Sequence, residues 1–266
     1  MVHIWTELGE TGAARGAARG DVVVIIDALR ASTTIITALH AGADRVIPVL
    51  TVEQAEAYLG GQVHRGGQVH RGSKVHRGSV PHCRDVLDRH DGHYRVAGER
   101  GGAKLPQFHY GNSPTEILAH AQDVAGRTLV LTTSNGTRCV QAALQGAVAV
   151  LVGAPVNASA VARMAFDLAR AHRRDITLVA AGINEQPTEE DSFSAELIGA
   201  RLVFLGASLT IPLPSAADEV TSLTVFLSSR PAARLTALGY AEDIRFCAQV
   251  DVWQTVPVYR DGAFRA

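Results

Sequence analysis

The sequence predicts an α/β protein, with mixed sheets covered by helices in two closely packed lobes, about 1–125 and 126–266, of a single unit. Three observations predict it. Val22-Val23-Val24-Ile25-Ile26 is β-branched throughout and shows no polar alternation, the pattern of a strand buried on both faces. Similar runs at 128–132, 148–152 and 176–180 alternate with amphipathic segments of helical length. No low-complexity linker divides the chain, and 266 residues can bury one large core or two small ones in close contact.

In order, a first strand at 2–6 leads into the glycine-rich stretch 9–20, which holds a small Gly-Ala-Ala-Arg duplication. A dinucleotide-binding loop must follow a strand and open a helix; this stretch runs into the next strand and is read as a flexible loop. The strand at 22–26 is followed by a helix at about 32–41, ended by Gly42, then a strand at 45–50 and a helix at 51–59 started by Thr51. Three hexapeptides then repeat as Gly61-Gln62-Val63-His64-Arg65-Gly66, Gly67-Gln68-Val69-His70-Arg71-Gly72 and Ser73-Lys74-Val75-His76-Arg77-Gly78. Their histidines occupy equivalent places, which would suit a metal- or polyanion-binding strip. One valine per unit cannot build a core, so 60–78 is read as a flexible, exposed insertion.

A short helix is expected at 79–90 and a strand at 94–97, followed by a loop to Ser113, which caps a helix with Pro114 at its first position. The strand at 128–132 precedes a helix that begins at Asn135-Gly136-Thr137. A strand at 148–152, a helix capped by Asn157 and running to His172, and a strand at 176–180 follow. Helices at 188–204, 215–228, 231–238 and 241–248 and a tail strand at 256–259 complete the chain.

Composition narrows the function. A formal net charge of −1 argues against nucleic acid or an anionic membrane surface as partner. No apolar run approaches the roughly 20 residues of a membrane span. The opening Met1-Val2-His3-Ile4-Trp5-Thr6-Glu7 lacks the basic and apolar regions of a signal peptide. Cys83, Cys139 and Cys247 are odd in number and far apart, as expected of a reduced, cytoplasmic protein without a disulfide framework or zinc site. The oligomeric state is open, a homodimer included.

Four strand ends share one chemical character, in the segments Asp27-Ala28-Leu29-Arg30-Ala31-Ser32-Thr33, Gly98-Glu99-Arg100-Gly101-Gly102, Gly111-Asn112-Ser113-Pro114 and Thr132-Thr133-Ser134-Asn135-Gly136-Thr137. Each joins small residues, which let backbone approach a ligand, to a charged or amide side chain at the carboxyl end of a strand. Singly, each is also an ordinary ion pair or helix cap. Jointly, the acids Asp27 and Glu99, the arginines Arg30 and Arg100 and the helix starts fit a divalent cation, Mg²⁺ by its oxygen ligands, with a phosphate or similar oxyanion.

These loops, in this order and spacing, resemble the 2-phosphosulfolactate phosphatase family. The resemblance takes in Gly153, Asn157, Ala181-Gly182, Glu189-Glu190-Asp191, Cys247 and Asp251, and spans nearly the whole chain apart from the histidine repeat. It implies a Mg²⁺-dependent acid phosphatase that hydrolyses (2R)-2-phospho-3-sulfolactate to 3-sulfolactate and phosphate, a step towards coenzyme M. By motif, Asp27, Arg30, Glu99, Arg100, Asn112, Asn135 and Thr137 sit on family positions. The implied metal ligands are Asp27, Glu99 and Asp191. Arg30 and Arg100 would neutralise substrate charge, and Ser32, Thr33, Asn112, Ser113 and Gly136 would line the substrate. Water, Thr137, Ser134 and Asp27 all stay open as the nucleophile.

Two other phosphatase chemistries fit poorly. A haloacid-dehalogenase site needs a second acid two residues after the first, where this chain has Leu29. His82-Cys83-Arg84-Asp85-Val86-Leu87-Asp88-Arg89 satisfies a cysteine-phosphatase spacing, but its loop has no glycine and two acids that repel phosphate. The alternatives are a phosphatase for another small anionic phosphomonoester and a non-catalytic small-anion binding protein.

Overall fold

The computed structural model describes residues 1–59, 92–209 and 219–266. The hexapeptide repeat, the helix expected at 79–90, Cys83 and the start of the helix expected at 215–228 lie outside the described residues. The first elements are β1 (His3–Leu8), α1 (Gly9–Arg19), β2 (Val22–Ile26), α2 (Ala31–His40), β3 (Arg45–Val49) and α3 (Val52–Glu56). Next come β4 (Tyr94–Arg100), β5 (Ala103–Lys104), α4 (Pro114–Ala119), α5 (Ala121–Val124), β6 (Thr128–Thr132), α6 (Gly136–Ala143) and β7 (Ala149–Val152). A 3-10 turn (Pro155–Asn157) leads into α7 (Ala158–His172), β8 (Ile176–Ala180), α8 (Glu189–Phe204) and β9 (Ser208–Leu209). The chain ends with α9 (Glu219–Ser228), α10 (Arg230–Ala237), α11 (Ala241–Cys247), β10 (Val258–Arg260) and β11 (Ala263–Arg265).

Among the described residues, eleven strands form one mixed sheet in the order β5-β4-β6-β3-β11-β10-β7-β2-β8-β1-β9. It consists of two parallel blocks, β4-β6-β3 and β7-β2-β8-β1-β9. The β10–β11 hairpin lies antiparallel between them and stitches them together, Val258 opposite Leu151 and Phe264 opposite Val46. Strands from either side of residue 125 interleave: β1 and β2 lie with β7 and β8, whereas β3 and β4 lie with β6. β2, β6 and β8 are buried at every position, as uninterrupted apolar runs covered by helices should be. The tail strand is therefore half of a hairpin, and its three-residue partner β11 is too short to leave a periodic signature.

The stretch 9–20, expected to be a flexible loop, is the helix α1. Its apolar face consists of small residues, with Gly9, Gly12, Ala13, Gly16 and Ala17 buried. A Cβ on Gly12 would lie 2.8 Å from the Glu7 side chain, and one on Gly16 would lie 2.9 Å from Thr177. The glycines thus let the helix press onto β1 and β8, at a cost of about 1 kcal/mol each in helix propensity that tertiary packing offsets. A cap from far along the chain closes its start: Glu185 Oε1 accepts the Glu10 backbone N–H at 2.8 Å.

Other caps follow local chemistry. Thr51 and Gln54 form a reciprocal capping box on α3, and Ser113 Oγ accepts the Glu116 N–H at the start of α4. Asn157, expected to cap α7, turns its side chain back to the Ala154 N–H and the Val152 and Thr255 carbonyls. Asp251 caps α7 instead, accepting the Ser159 N–H and hydroxyl at 2.6 Å each.

Candidate active site

Asp27 follows the last residue of β2, where the chain turns into α2. Its Oδ1 accepts the Ala31 N–H at 3.2 Å and its Oδ2 the Gly136 N–H at 2.9 Å, so the carboxylate is held between the starts of α2 and α6. A Cβ on Gly136 would lie 2.7 Å from Asp27 Oδ2, and only glycine allows this approach. Ser32 Oγ accepts the Asp27 N–H at 2.8 Å, and Thr33 Oγ1 donates to the Ala28 carbonyl at 2.8 Å. Both hydroxyls, expected on the substrate, are buried and hold this turn. Burial, reinforced by the charge of Glu99, pushes the Asp27 carboxyl up to about 6, against its backbone hydrogen bonds and Arg30.

The second acid comes from β8 and α8. Asp191 Oδ1 accepts the Ala28 N–H at 2.8 Å and Oδ2 the Gly182 N–H at 2.9 Å, tying the turns after β2 and β8 together. Gly182 has φ +62, and a Cβ there would lie 2.3 Å from the Gln186 carbonyl. The next turn, Ile183 to Gln186, carries Asn184 and Glu185 at φ 51 and 58, a tight reversal closed by Ile183–Gln186 hydrogen bonds. Glu190 lies beside Asp191, with its Oε2 buried and without a hydrogen-bond partner among the described residues. Burial, then the charge of Asp27, raises both carboxyls, with Glu189 adding to Glu190 and Glu190 adding to Asp191, which stands well above its ordinary range.

Glu99 serves a third turn. Its Oε1 accepts the Ser134 N–H and hydroxyl at 2.8 and 2.9 Å, and its Oε2 accepts the Gly102 N–H at 2.6 Å. Arg100, the next residue, leaves on the opposite face of β4, as strand periodicity requires. It donates to the Glu99 carbonyl and to Thr132 Oγ1 and does not line the cavity, so its expected place beside a substrate is not observed.

Arg30 is buried and tightly held. It donates to Asp243 Oδ2 at 2.7 Å and to the Gly102 carbonyl at 2.7 Å, and its guanidinium lies 4.1 Å from the Tyr240 ring centroid. Asp243 Oδ1 also accepts from the Ser113 hydroxyl at 2.8 Å and from Thr115. Ser113 thus faces this hub and not the cavity. The Leu29–Arg30 peptide is cis.

These turns surround a cavity of about 310 Å³ lined by Asp27, Arg30, Glu99, Asn112, Ser134, Asn135, Gly182, Glu190 and Asp191, with Pro231, Arg234 and Leu235 of α10 on one wall. The structure therefore brings together Asp27, Arg30, Glu99, Asn112, Asn135 and Asp191, with Gly136 directly behind. Asn112 Oδ1 is buried and has no hydrogen-bond partner among the described residues. Thr137 is buried, donates to the Thr133 carbonyl at 3.1 Å and is absent from the lining, which removes it from the candidate nucleophiles. Gly153, Asn157, Cys247 and Asp251 support the fold and do not line the cavity. Sequence reasoning gives no site role to Arg234 or Asp243 and names Glu190 only within the acidic triplet that carries the family resemblance. Arg234 and Asp243 sit in ordinary amphipathic helices without a local signal, whereas Glu190 could have been found from the acidic triplet 189–191.

The Ala28, Ala31, Gly102, Ser134, Gly136 and Gly182 N–H groups of these turns are taken up by the protein's own carboxylates. What the cavity offers is buried carboxylate oxygen, which fits a hard divalent cation such as Mg²⁺. The mutual repulsion of Asp27, Glu190 and Asp191 and the orphaned Glu190 Oε2 point the same way. Among the described residues no group of three or more His, Cys, Asp or Glu forms a ready-made metal cage. Mg²⁺ does not need one, because it is commonly held by one or two carboxylates with water and substrate phosphate.

Among the described residues no helix is long and apolar enough to cross a membrane. The family model described as 2-phosphosulpholactate phosphatase matches residues 11–68 and 75–262. The six residues it passes over, 69–74, are one period of the hexapeptide repeat. A protein of Methanothermobacter thermautotrophicus named 2-phosphosulfolactate phosphatase is 34% identical over 240 residues, covering 90% of this chain and 87% of its own. Proteins of Thermus thermophilus and Deinococcus radiodurans, both named "Probable 2-phosphosulfolactate phosphatase", are 32% and 33% identical, covering 90% and 91% of this chain and 88% and 89% of their own. With that match over nearly all of its length, the chain belongs to the 2-phosphosulpholactate phosphatase family, whose members are phosphoric monoester hydrolases.

Proposed function

We propose that this chain is a Mg²⁺-dependent phosphatase that hydrolyses (2R)-2-phospho-3-sulfolactate, or a closely similar small anionic phosphomonoester, to the hydroxy acid and phosphate. One observation carries the reading beyond family membership: the Asp27 carboxylate is clamped by the starts of α2 and α6 in a cavity shared with Glu190, Asp191 and Arg30. Asp27 and Asp191, with Glu190 beside them, would hold the cation, which would polarise the phosphoryl oxygens. The protein's own groups do the rest. Arg30, fixed by Asp243 and Gly102, places fixed positive charge where phosphoryl charge grows in the transition state. Ser134 Oγ donates to Glu99 Oε1 at 2.9 Å, so Glu99 is placed to take a proton from that hydroxyl or from a water in its stead. Asn112, whose buried Oδ1 has no partner among the described residues, can accept from a substrate donor. The test is a panel of phosphomonoesters, with and without a sulfonate, assayed for phosphate release in Mg²⁺ and in chelator. Mg²⁺-dependent release strongest for 2-phosphosulfolactate is expected; binding without release from any ester would make it a small-anion binding protein.

A further inference from the structure

Six charged side chains line the cavity: the acids Asp27, Glu99, Glu190 and Asp191 and the arginines Arg30 and Arg234. They are not used alike. Each acid except Glu190 has both oxygens held by backbone or hydroxyl donors, and Arg30 is held by the buried Asp243 and the Gly102 carbonyl. Arg234 differs from all of these. It projects from α10 at the exposed side of the cavity, and among the described residues no carboxylate, carbonyl or hydroxyl accepts a hydrogen bond from it. Its guanidinium lies over Gly101, where a Cβ would come within 2.4 Å of Nη2. Gly101 has φ +59, a conformation glycine adopts freely, so the β4–β5 turn leaves room for the guanidinium over its backbone. Leu235, buried next to it, anchors this turn of α10 against the wall.

Resting on the phosphatase reading, we propose that Arg234 selects the substrate: its free guanidinium takes a second acidic group, a carboxylate or sulfonate, of a small ester whose phosphate lies among the carboxylates. A planar fork of N–H donors matches either oxyanion and binds it through charge-assisted hydrogen bonds. The site needs such a group, because a substrate bearing two or three negative charges would otherwise meet a wall dominated by acids. Arg100, which the family resemblance implied would neutralise substrate charge, lies outside the cavity.

The test compares Arg234→Ala and Arg234→Lys with the parent on three esters: 2-phosphosulfolactate, 2-phospholactate without the sulfonate, and 4-nitrophenyl phosphate without a second acid. The expected result is a fall of about tenfold or more in the ratio of kcat/KM for the acidic ester over the neutral one in Arg234→Ala, carried mainly by KM. Arg234→Lys, which keeps the charge but loses the fork, should fall in between. A fall for both acidic esters assigns the carboxylate, and a fall for phosphosulfolactate alone assigns the sulfonate. An unchanged ratio overturns the proposal. Calorimetry with 3-sulfolactate, which carries no phosphate, separates this inference from the phosphatase reading. If the parent hydrolyses no ester, the phosphatase reading fails, and sulfolactate binding that is lost in Arg234→Ala still supports the selective role. No binding by the parent, or equal binding by both proteins, overturns it.

Discussion

The two walls of the cavity are built in different ways. On the side of β2, β6 and β8, backbone N–H groups hold the acids: Ala31 and Gly136 on Asp27, Ala28 and Gly182 on Asp191. On the side of α10 and α11, side chains hold side chains, Asp243 gripping Arg30, Ser113 and Thr115, with Arg234 reaching over Gly101. Backbone clamps are short-range and rigid, and they place reacting groups with little freedom. Side-chain contacts from a distant helix suit recognition, because one helix position can change without moving the acids. Chemistry is therefore expected to sit on the first wall and selectivity on the second.

The sharpest break of that contrast is at Asp27. Asp27→Asn removes the charge and one of the two acceptor oxygens, so phosphate release should fall by about three orders of magnitude or more, with the melting temperature changing far less because loss of a buried charge offsets the lost backbone hydrogen bond. Near-parent turnover at saturating Mg²⁺ would take the chemistry off the first wall. Asp243→Ala should act mainly on stability, since it leaves Arg30 buried and unpaired at a cost of about 3–5 kcal/mol. Denaturant melts would measure it, and an Arg30→Met, Asp243→Leu double variant should regain much of the stability while staying inactive. Gly136→Ala should lower kcat about tenfold or more by displacing Asp27 Oδ2, with KM changing less. A pure KM effect would show that the clamp is not catalytic.

A carboxylate elsewhere sharpens the point. Asp123 is held by the side chains of Arg95, Tyr110 and Arg127, and the Arg95 hydrogen bond, ahead of the other causes, keeps its carboxyl well below the ordinary range. Asp27, Glu190 and Asp191 are pushed upward by burial. A lowered folded pKa contributes stability that is present above the unfolded pKa and lost as pH falls through the folded one. The melting temperature should therefore drop below about pH 4, and Asp123→Asn should flatten that part of the curve. Its partial exposure keeps the effect modest. The smallest change is expected for Arg100→Ala, less than about threefold in kcat/KM, because its side chain bonds only the Glu99 backbone carbonyl and Thr132 Oγ1 and does not line the cavity. A loss as large as that of Arg234→Ala on acidic esters would reverse the assignment of the two arginines.

What the sequence determined by itself is whatever depends on neighbours along the chain. The buried runs of β2, β6 and β8 declare themselves because a strand covered on both faces must be apolar at every position. Asp27, Glu99, Asn112 and Asn135 stood out because sites of this architecture gather at strand ends, in short turns of small and polar residues, whereas Asp191, on α8, came only from the family resemblance. Packing between distant segments decided the rest. The helix α1 was hidden because its packing face is glycine and alanine, a stripe whose value exists only when β1 and β8 press against it. Arg100 and Thr137 lie in the right turns on the wrong faces, an orientation that strand register and burial set. Arg234 reaches the cavity, and Asp243 the Arg30 that lines it, only because α10 and α11 fold back more than 100 positions from Asn112 and Ser113. No local pattern marks such residues, because a charged position on a short amphipathic helix reads the same whether it faces water or a substrate.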